Sequence, residues 1–382
     1  MRDLSLQLQD KKQANQYRTR RIQDGMQGAH VVLDGKKCLA FCSNDYLGLS
    51  HHPDVIKAMQ QGAAKYGAGS GAAHLINGHS RAHHALEEEL ADFVERPRAL
   101  LFSTGYMANL GVISTLLQRG DTVIEDRLSH ASMLDAGLLS GARLKRYSHN
   151  DVDDLERKLA DRKSSETLIA TDGVFSMDGD LAPLERIVAI ARKEQAWLMV
   201  DDAHGLGVLG KNGRGTLEHF KLGLEDVPIL MGTLGKAFGC SGAFVAGSED
   251  LIETLINQSR SYIYTTASPP AVAEACRTSL KLVREESWRR ERLRSLIDQF
   301  RQGAQQLGLE LMSSSTPIQP VCLGDSARAV QCSELLWQAG IYIPAIRPPT
   351  VPAGSARLRI SFNADHETGH VDQLLDALEK TL

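Results

Sequence analysis

An amine, a carboxylate and an imidazole sit at two points of this sequence where strands end. Lys236 closes the string Pro228-Ile-Leu-Met-Gly-Thr233-Leu-Gly-Lys236-Ala-Phe-Gly, in which a short apolar run gives way to Thr233, Gly235 and Lys236. An earlier apolar run, Ala196-Trp-Leu-Met-Val, ends in Asp201-Asp202-Ala203-His204-Gly205. The trio suits a cofactor that needs a Schiff-base lysine, an acidic partner for a ring nitrogen and a group beside a phenolate oxygen. Pyridoxal 5'-phosphate (PLP) is such a cofactor. Strand alternation sends Asp201 and Asp202 to opposite faces, so only one of them meets a ligand from a given side. A carboxylate beside a pyridine nitrogen keeps that nitrogen protonated and makes the ring a better electron sink. Taken singly, Lys236 reads as a solvated surface lysine; the order of the strings around it changes that reading.

Four further strings carry polar groups at turns. Gly67-Ala-Gly-Ser-Gly71, followed by His74, Gly78 and His79, permits close backbone approach and reads equally well as an ordinary loop. In Ser103-Thr104-Gly105-Tyr106-Met107-Ala108-Asn109 a strand ends, a glycine turn follows and a helix begins. Helix N-terminal amides attract phosphate, Gly105 lets backbone approach, and Tyr106 offers a contact. His130, in Asp126-Arg-Leu-Ser-His130-Ala-Ser132, is placed to stack on a planar ring or shuttle protons, although a lone histidine there is more often a capping residue. Ser176, in Asp172-Gly173-Val-Phe-Ser176-Met-Asp178-Gly179, is able to bond a cofactor oxygen; alone the string is a polar turn. Neither a nucleotide P-loop nor a dinucleotide-binding glycine fingerprint occurs.

The elements that position these strings alternate. Strands are expected over 98–102, 122–125, 142–147, 167–171, 196–200, 229–231 and 243–246, and helices over 54–66, 80–94, 106–117, 130–139, 152–161 and 184–194. Such alternation predicts a largely parallel sheet with helices on both faces, and its ligand crevice lies at the carboxyl ends of the strands. Val31 to Phe41 reads as a β-hairpin turning at Asp34-Gly35. A long helix is expected over 270–307. Beyond it come strand 318–323, helix 326–339, strands 342–345 and 356–361, and helix 367–382. The expected organisation is an N-terminal helix and hairpin (1–45), a large cofactor-binding domain (46–280) and a smaller α+β domain (281–382), about the number this length allows.

Composition sets limits. The 382 residues are 42% hydrophobic and 24% charged, with 43 basic and 47 acidic groups and a net charge of −4. That balance gives no reason to expect nucleic acid or an anionic membrane as partner. No run approaches the roughly 20 apolar residues of a membrane span. The polar start, 1–16, reads as a helix and lacks the apolar segment of a signal peptide. The six cysteines show no paired spacing, so no metal site or disulfide scaffold is expected from them, and a reducing, cytoplasmic location is.

Over nearly its whole length the sequence resembles the α-oxoamine synthases, a group of fold-type I PLP-dependent transferases. The likeness is carried by Ser43-Asn44-Asp45-Tyr46-Leu-Gly-Leu49, Ser103 to Asn109, Arg127 to Ser132, Asp172 to Gly179, Val200 to Gly205 and Thr233 to Gly239. Ala345-Ile-Arg347-Pro-Pro-Thr350-Val-Pro-Ala-Gly354 and His149-Asn-Asp-Val152 are most similar to the branch that joins L-alanine to a pimeloyl thioester in biotin synthesis. The resemblance implies that Lys236 carries the cofactor as a Schiff base and later acts as the Cα base. His130 stacks on the ring, Asp201 pairs with its nitrogen and His204 with its phenolate oxygen. Ser176, Thr233, Gly105 and Tyr106 complete the cofactor contacts. Arg18, Thr350, Asn44 and His130 meet substrate, and Arg347 pairs with the amino-acid carboxylate. It also implies a homodimer with shared active sites, in which Tyr264, Thr265 and Thr266 approach a neighbour, and an acyl donor carried on coenzyme A or an acyl carrier protein. Three rivals stand beside this reading: a sibling that condenses glycine with a short acyl-CoA, an aldolase or aminotransferase on the same fold, and a non-catalytic binding protein.

Overall fold

Seven strands, separated mostly by helices, run through the middle of the chain in the computed structural model, which describes residues 3–162 and 166–382. They are β1 (Arg98–Phe102), β2 (Thr122–Asp126), β3 (Arg143–Tyr147), β4 (Thr167–Asp172), β5 (Trp197–Asp201), β6 (Ile229–Thr233) and β7 (Ala243–Gly247). They form one sheet in the order β1-β7-β6-β5-β4-β2-β3. All neighbours are parallel except β7, which runs antiparallel between β1 and β6. The carboxyl ends of β1, β2, β4, β5 and β6 therefore share one edge. The mainly parallel sheet expected from the alternation is borne out.

Both faces of the sheet are buried, as a parallel sheet requires. Val123, Leu168, Ala170, Met199 and Met231 pack with helices Gly105–Leu116, Ala131–Ser140 and Glu249–Gln258 in one core. The alternate residues Ile124, Ile169, Leu198, Val200 and Phe244 are buried as well. Local sequence starts these helices where expected. Thr104 Oγ1 caps the first by accepting from Met107 N, and Asp151 caps helix Val152–Ala160 by accepting from Asp154 N. Each side-chain acceptor satisfies a donor that the first turn would leave unpaired.

The chain separates into two compact units. One comprises Leu49–Ser176 and Leu181–Ser287 and contains the seven-stranded sheet. The other comprises the residues up to Gly48, Met177–Asp180 and Trp288–Leu382. Its hairpin pairs His30–Leu33 with Lys36–Ala40, and Asp34 and Gly35 both have positive φ (49° and 76°), the conformation a two-residue hairpin turn needs. A second sheet joins Ile318–Gly324, Ala356–Ser361 and Ala345–Ile346. Met177–Asp180 is stitched into this unit: Arg357 pairs with Asp178, and Ser314 Oγ and Thr316 Oγ1 donate to Gly179 O. Gly179 has φ 75°, and a Cβ there would lie 2.4 Å from Ile318 O, so only glycine fits.

Two expectations are corrected. The long helix over 270–307 is two helices, Pro270–Glu285 and Trp288–Gln306. Glu286 leaves the helical region (φ −104°, ψ 63°) although no proline or glycine marks the break. The strand expected over 342–345 is two short pieces in different sheets. Ile341–Tyr342 pairs parallel with the hairpin, and Ala345–Ile346 pairs antiparallel with Ala356–Ser361. Pro344 lies between them and has no N–H to continue a ladder.

Candidate active site

The sheet edge at the carboxyl ends of β4, β5 and β6 gathers most of the polar strings. Asp201 is the last residue of β5, on the face covered by helix Gly105–Leu116. Its Oδ2 accepts from Asn109 Nδ2 at 2.7 Å and its Oδ1 from Ala203 N at 3.0 Å. Asp202 turns elsewhere: its Oδ2 accepts from Thr216 N at 2.7 Å, and burial pushes its carboxyl up to about 8. The two aspartates thus differ as strand alternation predicts.

His130 stands before helix Ala131–Ser140 and caps it through Nδ1, which accepts from Ser132 N. Its own N–H donates to Asp172 Oδ2 at 3.0 Å. Asn109 Nδ2 also donates to Ser132 Oγ at 2.8 Å, and Ser132 Oγ lies 2.8 Å from His130 Nδ1. Because Nδ1 already accepts from Ser132 N, the Ser132 Oγ proton is the one that points at Nδ1. The network assigns Nδ1 as acceptor and places the neutral ring's proton on Nε2. Burial lowers the imidazole's proton affinity, Asp201 opposes that, and Lys236 adds to it. Burial raises the Asp172 carboxyl well above the usual range, with Asp201 pushing the same way.

Lys236 lies in the loop between β6 and β7, with Nζ 2.7 Å from His204 Nε2. His204 is buried and Lys236 partly so. The loop is closed by Leu234 N to Gly242 O, Gly239 N to Lys236 O and Cys240 N to Leu234 O. Gly239 makes it possible, with φ 64° and a Cβ position 2.3 Å from Ser50 N. Thr233 Oγ1 donates to Gly242 O at 3.0 Å and accepts from Gly235 N at 3.3 Å. Ser176 is partly buried in the turn after β4.

Gly105 opens its helix, which leaves the first-turn amides of Gly105 and Tyr106 outside the helical ladder. The Tyr106 hydroxyl is bonded to Asp135, which raises its pKa. A Cβ on Gly105 would meet only the flexible end of Met231, Cε at 3.6 Å and Sδ at 3.9 Å, and its φ is not positive. Neither backbone nor packing demands glycine there, which fits a group lying against the helix start. Lysine amine, carboxylate, two imidazoles, hydroxyls and helix-start amides together form a donor set that suits PLP: a covalent anchor, ring partners and a phosphate seat.

Arg18, Thr350, Arg347 and Asn44 belong to the other unit. Arg18 Nη2 donates to Thr350 Oγ1 at 2.8 Å, and Arg18, Thr350 and Arg347 line one cavity. Arg347 is committed differently from the expectation of a carboxylate partner: its guanidinium donates to Asn15 O, to Tyr17 O at 2.6 Å and to Ala345 O at 3.1 Å. It fastens the N-terminal arm. Asn44 Oδ1 accepts from the buried Arg359 at 3.2 Å and from the Tyr46 hydroxyl at 3.2 Å. Asn109, Ser132 and Arg359 had no assigned role in the sequence. The one available signal for Asn109 is a lone amide on an otherwise apolar helix.

The pattern of the family "Aminotransferase class I and II" matches residues 36–378. An 8-amino-7-oxononanoate synthase of Thioalkalivibrio sulfidiphilus is 60% identical over 383 residues, covering 100% of this chain and 98% of the relative. One from Nitrosococcus oceani is 61% identical, covering 99% and 100%. A serine palmitoyltransferase from S. paucimobilis, solved with bound PLP–myriocin aldimine, superposes with a TM-score of 0.93 at 33% identity, covering 100% of this chain and 98% of that one. The 8-amino-7-oxononanoate synthase of Francisella tularensis superposes with a TM-score of 0.79 at 34% identity, covering 90% and 97%. The likeness read from the motifs is borne out: the chain belongs to the aminotransferase class I and II family, in the branch that holds these 8-amino-7-oxononanoate synthases.

Proposed function

We propose that this chain is a PLP-dependent acyltransferase that condenses L-alanine with a pimeloyl thioester, releasing CO2 and the free carrier, to give 8-amino-7-oxononanoate for biotin synthesis. The observation that carries the reading is the 2.7 Å contact of Lys236 with His204 at the sheet edge that bears Asp201, in a chain 60% identical to a relative so named. Bound PLP supplies an aldehyde for an amine and a protonated ring that accepts the electron pair left at the alanine Cα.

Lys236 Nζ would hold the cofactor at rest and, when free, would take the Cα proton of the bound alanine. Asp201, held by Asn109 and Ala203 N–H, keeps the ring nitrogen protonated. His204 pairs with the phenolate oxygen. His130, with its proton on Nε2, covers the ring and presents a donor. Ser176 supports the same ring. Thr233 and the amides of Gly105 and Tyr106 seat the phosphate. The alanine carbon forms a bond to the thioester carbonyl, the carrier thiolate leaves, the carboxylate departs as CO2, and a proton returns to Cα.

Arg18 and Thr350 serve the acyl substrate. Asn44 and Arg359 are the pair we assign to the alanine carboxylate. Arg347 held that place in the sequence reading, but it already donates to three carbonyls. The exposed Ile76 and Tyr264 support a homodimer in which 264–266 of one protomer approach the other's site. No described helix is long and apolar enough to cross a membrane, which accords with a cytoplasmic biosynthetic enzyme. Mass analysis of the product tests the reading. L-Alanine with pimeloyl-CoA or pimeloyl-acyl carrier protein yields 8-amino-7-oxononanoate and identifies the carrier. Turnover confined to glycine with acetyl-CoA, or a keto acid formed without thioester, overturns it.

A further inference from the structure

Histidines crowd one corner of the cofactor-bearing unit, outside the site just described. His74 opens a single π-helical turn, His74–Gly78, and His79 follows it. His83, His84 and Glu87 lie on helix Arg81–Phe93. We propose that His79, His84 and Glu87 bind a divalent transition-metal ion of the zinc type.

The hydrogen bonds decide which nitrogens are available. His83 is fully committed: Nδ1 accepts from Ser80 N at 3.1 Å, and Nε2 lies 2.8 Å from Ser268 O. His79 Nδ1 lies 3.0 Å from His74 Nδ1, so its other nitrogen, Nε2, is the inward one, facing His84 and Glu87. His84 Nε2 lies 3.4 Å from Glu88 Oε1, four residues along the helix, so Nδ1 is its inward nitrogen. The two inward nitrogens face each other at 3.5 Å, and Glu87 Oε2 lies 3.9 Å from His79 Nε2. Glu87 is oriented by its other oxygen, which accepts from Leu101 N at 2.9 Å.

With His79 Nδ1 and His84 Nε2 donating outward, two lone pairs and a carboxylate oxygen converge with a cation as their natural filler. All three donor atoms lie within 4.8 Å of one another. Tetrahedral zinc with bonds of roughly 2.1 Å spaces its ligands about 3.4 Å apart, near the 3.5 and 3.9 Å at which His79 Nε2 meets His84 Nδ1 and Glu87 Oε2. Each imidazole already has the outer partner that a metal-bound histidine usually keeps, His74 for one and Glu88 for the other. The His84 side chain is 50% exposed and that of His79 28%, so ion and a solvent ligand have access. Cysteine spacing, which argues against zinc elsewhere, does not bear on this cluster.

The test uses untagged, PLP-loaded protein stripped with chelator, then exposed to Zn2+ or Co2+, desalted and analysed for metal. We expect a single zinc per chain and a tetrahedral Co2+ visible spectrum. His84→Ala and Glu87→Gln abolish both, and Glu87→Gln keeps the acceptor that Leu101 N needs. Glu88→Gln weakens zinc binding about tenfold. His219→Ala, at an unrelated exposed site, leaves it unchanged. Wild-type protein that retains no zinc overturns the proposal, as does full retention in His84→Ala protein whose circular dichroism is native.

Discussion

Asn109 tests the network behind the site more sharply than the lysine does. Its amide is fully buried and donates both protons, one to Asp201 Oδ2 at 2.7 Å and one to Ser132 Oγ at 2.8 Å. Asn109→Leu keeps the volume and removes both donors. A bond to a carboxylate contributes about 1.5–3 kcal/mol and a neutral one about 0.5–1.5 kcal/mol, so the variant loses about 2–4.5 kcal/mol of stability, read by urea unfolding. Asp201 keeps Ala203 N–H but is free to rotate about that single tether, and Ser132 no longer has a reason to aim its proton at His130. A misplacement of that kind costs about 10²-fold in rate, read as deuterium exchange at the alanine Cα. Asn109→Asp sets a second carboxyl against Asp201, so one of the pair holds a proton in the fold. Its folded pKa then lies above its unfolded one, and the variant's stability falls as pH rises from about 4. An Asn109→Leu protein with wild-type unfolding and wild-type exchange refutes the reasoning.

Two other outcomes follow from the same geometry. Arg359→Lys raises the KM for L-alanine by about tenfold or more because Lys cannot reproduce a planar fork, whereas Arg347→Lys loosens the N-terminal arm with little change in that KM; steady-state kinetics decide, and the reverse pattern restores Arg347 to the carboxylate. Asp202, raised by burial to about 8 from an unfolded value near 3.9, contributes stability that is fully present below about pH 4 and is lost as pH rises towards 8. Asp202→Asn flattens that slope by an amount on the order of a few kcal/mol, and unfolding curves at pH 5 and pH 8 that keep the wild-type difference count against it.

Local pattern was enough for most elements, and the reasons for the failures are physical. The strand at Ala356–Ser361 has the expected ends because apolar alternation and flanking turns agree. The break at Glu286 carries no proline or glycine, but the apolar repeat lapses over Arg284 to Ser287, a gap that a reading of one long charged helix face passes over. Pro344 did mark the split at 342–345, and the strand reading overrode it. The positions of Lys236, His204, Asp201 and His130 at or just after strand ends were legible because each lies in a string of recognisable order. Asn109 lies within such a string, but nothing local marks a role for it, because its partner Asp201 lies 92 residues further along the chain. Arg347 shows the converse: a guanidinium beside prolines looks like a ligand group, and only the fold shows the carbonyls of Asn15, Tyr17 and Ala345 around it.

The antiparallel strand β7 bears on how Lys236 moves. A parallel crossover would return the chain from the far edge of the sheet on a long tether. Here the connection leaves β6 and re-enters β7 at the same edge, with both ends sewn into adjacent strands. The backbone under the lysine is clamped like a short bridge between two piers. Its entropy is spent at folding, and the mobile part is the four-methylene arm alone. An amine that must be bound at one moment and free at the next thus swings from a fixed pivot, and extra residues at 237–241 would shift that pivot while leaving every ligand group in place.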